Sequence, residues 1–112
     1  TLSELIANNG LNRGLVTSAE IWQKPPEFYE SKLSISLEIN GSEIDSGGLW
    51  PMEGGPVSSL HWLQNHLADH DLTILPENII LGGTALGLYK VSAGDRIDVK
   101  LDGETAVNCF IS

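Results

Sequence analysis

The chain has little of what would mark a disulfide-stapled, membrane-spanning or nucleic-acid-binding protein. It holds one cysteine, Cys109, which cannot close an internal disulfide, so packing must hold the fold and a reducing compartment is expected. No apolar run approaches the roughly 18 residues that a helix needs to cross a bilayer, and no basic, apolar leader is visible, so a cytoplasmic protein without a membrane partner is expected. Basic residues are scarce: six Lys and Arg stand singly against fifteen Asp and Glu, for a net charge of −9. Without clustered positive charge to displace counterions, nucleic acid and anionic membrane surfaces are excluded as partners. There is no Gly-x-Ser-x-Gly elbow, and Ser58, Ser59 and His61 diverge around a helix, so a nucleophilic serine site is excluded too. Repeats, low-complexity tracts and linkers are absent, which leaves a single domain over residues 1–112.

What is present is enough apolar residue, 41% of 112, for one core. Thr1 or Ser3 can cap a short helix that Asn8-Asn9-Gly10 stops. Gly14 to Thr17 reads as a short strand, and Pro25-Pro26 breaks whatever precedes it. Leu33, Ile35, Leu37 and Ile39 alternate with polar residues, as in a half-buried strand. Asn40-Gly41 supplies the positive φ values of a tight hairpin, so Glu43 to Gly47 should return antiparallel. Gly47 to Gly55 has no period and reads as a loop. Pro56 suits a helix's first turn. From there Leu60, Leu63 and Leu67 mark one helical face and Trp62, His66 and His70 an adjacent one, as far as Asp71-Leu72. Ile79 to Leu81 reads as a buried strand. Ile97, Val99 and Leu101 alternate again, Asp102-Gly103 turns, and a last strand runs from Thr105 to Ile111, with Cys109 expected as a buried thiol.

Four features have chemical potential. Gly82-Gly83-Thr84 follows a strand pattern directly; such an exit lets a ligand oxygen approach backbone N–H groups, with the Thr84 hydroxyl as a further donor. The glycine-rich loop from Ser46 to Pro56 is made apolar by Trp50 and Met52. His66 and His70, at i and i+4, share a helical face as in zinc helices, yet a third ligand is missing because Asp69 points elsewhere, so packing is the better reading. Asp69, Asp71 and Glu77 read as a solvated acidic patch.

The order Asn-Gly-x-x-x-x-Ser-Gly from Asn40, a Gly-x-Pro opening a Ser-Leu-x-Trp-Leu-x-Asn-x-Leu helix, Ile-Ile-Leu-x-Gly from Ile79 and Ala-Gly-Asp at 93–95 resembles the C-terminal half of the fumarylacetoacetate hydrolase superfamily. It looks most like the 2-keto-4-pentenoate hydratase and 4-oxalocrotonate decarboxylase branch. Leu5-Ile6-Ala7-Asn8-Asn9 is similar to that branch's Val-Ala-Asp-Asn segment. The resemblance implies a magnesium or manganese ion held by a Glu-x-Glu pair and a third acidic residue, all upstream of the matched region, as is a catalytic lysine. These 112 residues contain no Glu-x-Glu, so no metal site is expected in them. In the loop, Gly48 stands where the hydratase pattern has arginine and Gly55 where it has histidine, which removes a carboxylate anchor. Gly82 stands at the hydratase threonine position, and Thr84 matches the Gly-Thr order of the hydrolase branch.

The fold class expected is α+β: an antiparallel or mixed β-roll around one amphipathic helix, half of the fumarylacetoacetate hydrolase-like fold. Three functional readings stay open. The chain is a shortened relative without catalysis that keeps a binding or assembly role, a segment or subunit of a metal-dependent hydratase, decarboxylase or C–C hydrolase acting on 2-oxo acids, or a module binding a small apolar carboxylate. In each, Gly83, Thr84, Trp50 and Tyr89 are the candidate substrate-binding residues, with no catalytic residue assigned. A homodimer, or a partner chain supplying the missing half, is expected to cover the apolar surface.

Overall fold

A computed structural model describes residues 14–18, 25–83 and 85–112. The expected helix near residues 1–8 and the candidate Thr84 lie outside the described residues. Helix α1 spans Pro26–Glu30, strands β1 and β2 span Ser34–Ile39 and Ser42–Gly48, helix α2 spans Gly55–Ala68, and β3 and β4 span Arg96–Leu101 and Glu104–Phe110. The strands form one antiparallel sheet in the order β2-β1-β3-β4. It consists of two hairpins side by side, with residues 49–95 as a long excursion between them.

Both hairpins turn on residues able to take positive φ. Asn40 and Gly41 sit at 53° and 81°, Asp102 and Gly103 at 47° and 84°, which is the requirement of a two-residue turn matching the strand twist. Polar side chains then fasten both ends of β1 to β3. At one end Asn40 Nδ2 donates to Asp95 Oδ1 at 2.8 Å and the Arg96 N–H donates to Asn40 Oδ1 at 2.9 Å. At the other, Asp102 Oδ1 accepts from the Ser34 N–H at 2.8 Å and from its hydroxyl at 2.9 Å.

Register separates the two faces of the sheet. Ile35, Leu37 and Ile39 stand opposite Leu101, Val99 and Ile97, and Val107 and Cys109 continue those rows on β4, so one face is apolar. The other is a charge ladder. There Glu38 and Asp98 are direct cross-strand partners, a repulsive pairing relieved by cations. Lys100 Nζ lies 2.6 Å from Glu38 Oε1, and Arg96 grips Asp98 with two bonds of 2.8 and 3.0 Å.

One irregularity rearranges the apolar face. A two-residue turn at Asn40-Gly41 pairs Ile39 with Ser42 and Glu38 with Glu43, and an undisturbed ladder would next set Ile44 against Leu37. A bulge intervenes, and Leu37 faces Asp45 instead. A one-residue slip exchanges faces. Ile44 is thereby turned out, 45% exposed, and the Asp45 carboxyl shares the apolar face with Leu37 and Val99.

Several expectations need correction. Residues 14–18 carry no strand; Thr17 and Ser18 lie beside Thr105–Asn108 without pairing. Ile79 to Leu81 form neither a strand nor a buried run: they are 71%, 42% and 52% exposed. A fully buried strand needs neighbours on both edges and both faces, and no described strand pairs with this segment. Cys109 is half-buried rather than buried; it lies on β4, an edge strand of the sheet. Helix α1 was not foreseen; Pro26 at its first position supplies the preset φ. The long helix α2 contacts α1 rather than a strand, and the segment 80–82 lies along it. Among the described apolar residues only Leu33 and Leu101, at 5% and 7% exposure, are buried.

Candidate functional site

The apolar sheet face and the excursion enclose a cleft of about 300 Å³, at the small end of the range for ligand sites. Ile35, Leu37 and Val99 form its floor, Leu49 and Trp50 one wall, and Gly82, Gly83 and Ala85 to Gly87 the other. It exists because the bulky side chains belong to the sheet while the facing backbone is bare. A Cβ on Gly82 would meet the Trp50 ring at 3.6 Å, so the six-membered ring of the indole packs against that glycine. Gly83 takes φ +88°, a conformation that L side chains resist. Leu86 reaches across the sheet to Gly47, whose Cβ position is 3.6 Å from its Cδ2.

Trp50 separates this cleft from two others. One, of about 380 Å³, lies between α2 and Ile80 to Gly82; the other, of about 460 Å³, between residues 30–33 and the loop at 52–57. The Trp50 Nε1–H is buried and has no acceptor among the described residues.

At the rim beside Gly87 sits a polar knot. The Tyr89 hydroxyl donates a hydrogen bond to Asp45 Oδ2, and the Gly87 N–H points at both oxygens, 3.2 Å from the phenol and 3.5 Å from the carboxylate. Gly87 must be glycine for this: a Cβ there would fall 2.8 Å from the Tyr89 hydroxyl oxygen and 3.2 Å from Cζ. The phenol's bond, joined by those from the Gly87 and Ser46 N–H groups, holds the Asp45 carboxyl below its ordinary range despite partial desolvation. The same bond pushes the Tyr89 phenol above its ordinary value. At neutral pH the pair is therefore carboxylate plus phenol, one negative charge on an apolar face.

Gly83 and Trp50 thus line one cleft, and Tyr89 stands at its rim, held by Asp45, rather than among the lining residues. Sequence reasoning missed Asp45, Leu86 and Gly87. A local signal existed only for Asp45, at alternate spacing with Gly47 on the returning strand, and the bulge hides it. His66 and His70 stay on the outer face of α2: the Trp62 and His66 rings stack with centroids 5.1 Å apart and His70 meets His66 edge-on at 5.0 Å. Among the described residues no three His, Cys, Asp or Glu side chains converge as a metal site would require. The described residues do not fit the acidic triad that the resemblance implies.

Two curated proteins are similar to the chain. One is the 2-hydroxyhexa-2,4-dienoate hydratase of Comamonas testosteroni, 24% identical over 102 residues, which are 91% of this chain and 38% of that protein. The other is the 2-oxo-hept-4-ene-1,7-dioate hydratase of Escherichia coli, 26% identical over 106 residues, 95% of this chain and 39% of that protein. The chain spans less than two-fifths of the length of either relative. No family model and no solved structure matches it significantly. The resemblance read from the motifs between Asn40 and Asp95 is thus met by two hydratases, over nearly the whole chain.

Proposed function

We propose that the chain carries the substrate-binding side of a hydratase-like site for small 2-oxo or 2-hydroxydienoic acids, and that the acidic ligands and lysine of the chemistry lie outside these 112 residues. By itself the chain binds without turning over. The observation that carries this reading is the cleft, in which an apolar floor of Ile35, Leu37 and Val99 faces the bare backbone of Gly82-Gly83. An acid head at the glycines would meet main-chain donors while its carbon tail covers the floor. Support also comes from the names of the two similar hydratases, one of which specifies an unsaturated 2-hydroxy mono acid and the other an unsaturated 2-oxo diacid. The half-fold relationship to the fumarylacetoacetate hydrolase superfamily belongs to the same proposal, with Thr84 following Gly83 as a further donor.

The test is a titration of the 112-residue chain with 2-oxohexanoate, followed by amide and indole NMR shifts. Shifts concentrated at Gly82, Gly83, Leu86, Gly87 and the Trp50 indole are expected. Shifts confined to α2 or to β4 would overturn the assignment.

A second element of the proposal is assembly. Ile79, Leu81, Leu88 and Phe110 are among the apolar side chains more than half exposed, and their cover is proposed to be a second copy or a chain segment bearing the remaining hydratase elements.

A further inference from the structure

The chemistry of the cleft also bears on which acids it admits, granted the reading that a 2-oxo acid binds there. If the acid head sits at Gly82-Gly83, the tail runs over Leu37, Val99 and Leu86 toward Gly87, and just outside the lining, 3.5 Å from the Gly87 nitrogen, stands the Asp45 carboxylate. The Asp45 side chain is on this face because the bulge puts it opposite Leu37. Its Oδ2 accepts from the Tyr89 hydroxyl and the Gly87 N–H and its Oδ1 from the Ser46 N–H, and no Lys, Arg or His is among the described residues lining the cleft. A ligand carboxylate arriving at that end would lose water, find no cation and face a fixed negative charge. A methyl or vinyl end would lose only water and gain the apolar floor.

We infer that the cleft selects 2-oxo acids with an uncharged, apolar tail and rejects those ending in a second carboxylate, and that Asp45 is the residue determining this specificity, with Tyr89 and Gly87 positioning it. The carboxylate, ionised at neutral pH, is a standing charge rather than one the ligand can neutralise. Bulges occur next to functional sites because they re-aim a side chain, and here the effect is to trade Ile44 for Asp45 on the cleft face.

The experiment compares 2-oxohexanoate with 2-oxohexanedioate, which share a carbon count and differ in the terminal group, by NMR titration of the wild-type chain and of Asp45→Asn. The wild type is expected to bind the mono acid at least tenfold more tightly. Asp45→Asn should raise dioate affinity about tenfold and change mono-acid affinity less than twofold. Tyr89→Phe, which keeps the charge but removes the hydroxyl that positions it, should weaken the discrimination without abolishing it. Raising salt on the wild type should narrow the gap, a readout that needs no variant. Equal or tighter dioate binding at Gly82-Gly83, or a gap that survives Asp45→Asn, overturns the specificity inference while the binding reading stands. If neither acid shifts the cleft residues, the binding reading fails and the specificity inference with it.

Discussion

The Tyr89–Asp45 pair is where single atoms make a distinctive statement. The phenol is held in its protonated form chiefly by its bond to Asp45, so it should titrate above its ordinary value of 10.0. Asp45→Asn should return it toward that value. Gly87→Ala, by forcing the ring away from a contact of 2.8 Å, should do the same without touching either partner. The Tyr89 ring signals followed by NMR through high pH, assigned with Tyr89→Phe, check this; an ordinary titration in the wild-type chain would contradict the pairing. Nothing local announces the pair in the sequence, because its members are 44 residues apart and the bulge that presents Asp45 leaves no composition signal. Gly83 and Trp50, by contrast, stand out in the sequence as a glycine after an apolar run and an aromatic in a glycine-rich loop, and the fold brings the two to one cleft.

Among the elements, the two hairpins were legible because Asn40-Gly41 and Asp102-Gly103 are turn chemistry flanked by strict alternation, and local sequence decides such structure. The strand expected at Ile79 to Leu81 was not, since an apolar run becomes a strand only if a partner strand pairs with it, and α1 is too short to leave a period. The sheet itself makes two checkable claims. Asp95, Asp98 and Asp102 are all held below the ordinary carboxylate range: Asp98 mainly by the Arg96 guanidinium, Asp102 by the Ser34 N–H, Asp95 by the Ser92 N–H. A depressed folded pKa means that the ionised form stabilises the fold. That contribution is complete above the unfolded value of about 3.9 and is lost as pH falls through the lower folded values. The urea midpoint should be level above about pH 5 and drop steeply toward pH 2, less steeply in Asp102→Asn; a midpoint unchanged down to pH 2 would contradict the clamps. Leu101, at 7% exposure on the central strand β3, should cost about 2–5 kcal/mol when changed to alanine, whereas Ile44→Ala at the outward side of the bulge should cost under about 1 kcal/mol. Urea unfolding of both variants checks the bulge's exchange of faces.

For the whole molecule, surface is the leading fact. Among the described residues Ile79, Leu88 and Phe110 stand 71%, 96% and 69% exposed, apolar surface of the kind that association covers. A stable pair needs to bury only about 1,600 Å² in total. The proposed association should therefore appear in sedimentation equilibrium as a species of at least twice the 12.1 kDa chain mass. It should strengthen as salt screens the net charge of −9. A species of monomer mass at every salt concentration would contradict it. The central claim, however, is the cleft between the sheet's apolar face and the glycine backbone, and isotope-filtered NOEs from bound 2-oxohexanoate test it most directly. The account predicts contacts from the ligand's terminal methyl to Leu37, Val99 and Leu86, with the acid end nearest Gly82 and Gly83; contacts only to Leu60, Trp62 and Leu63 on α2, or none at all, would contradict it.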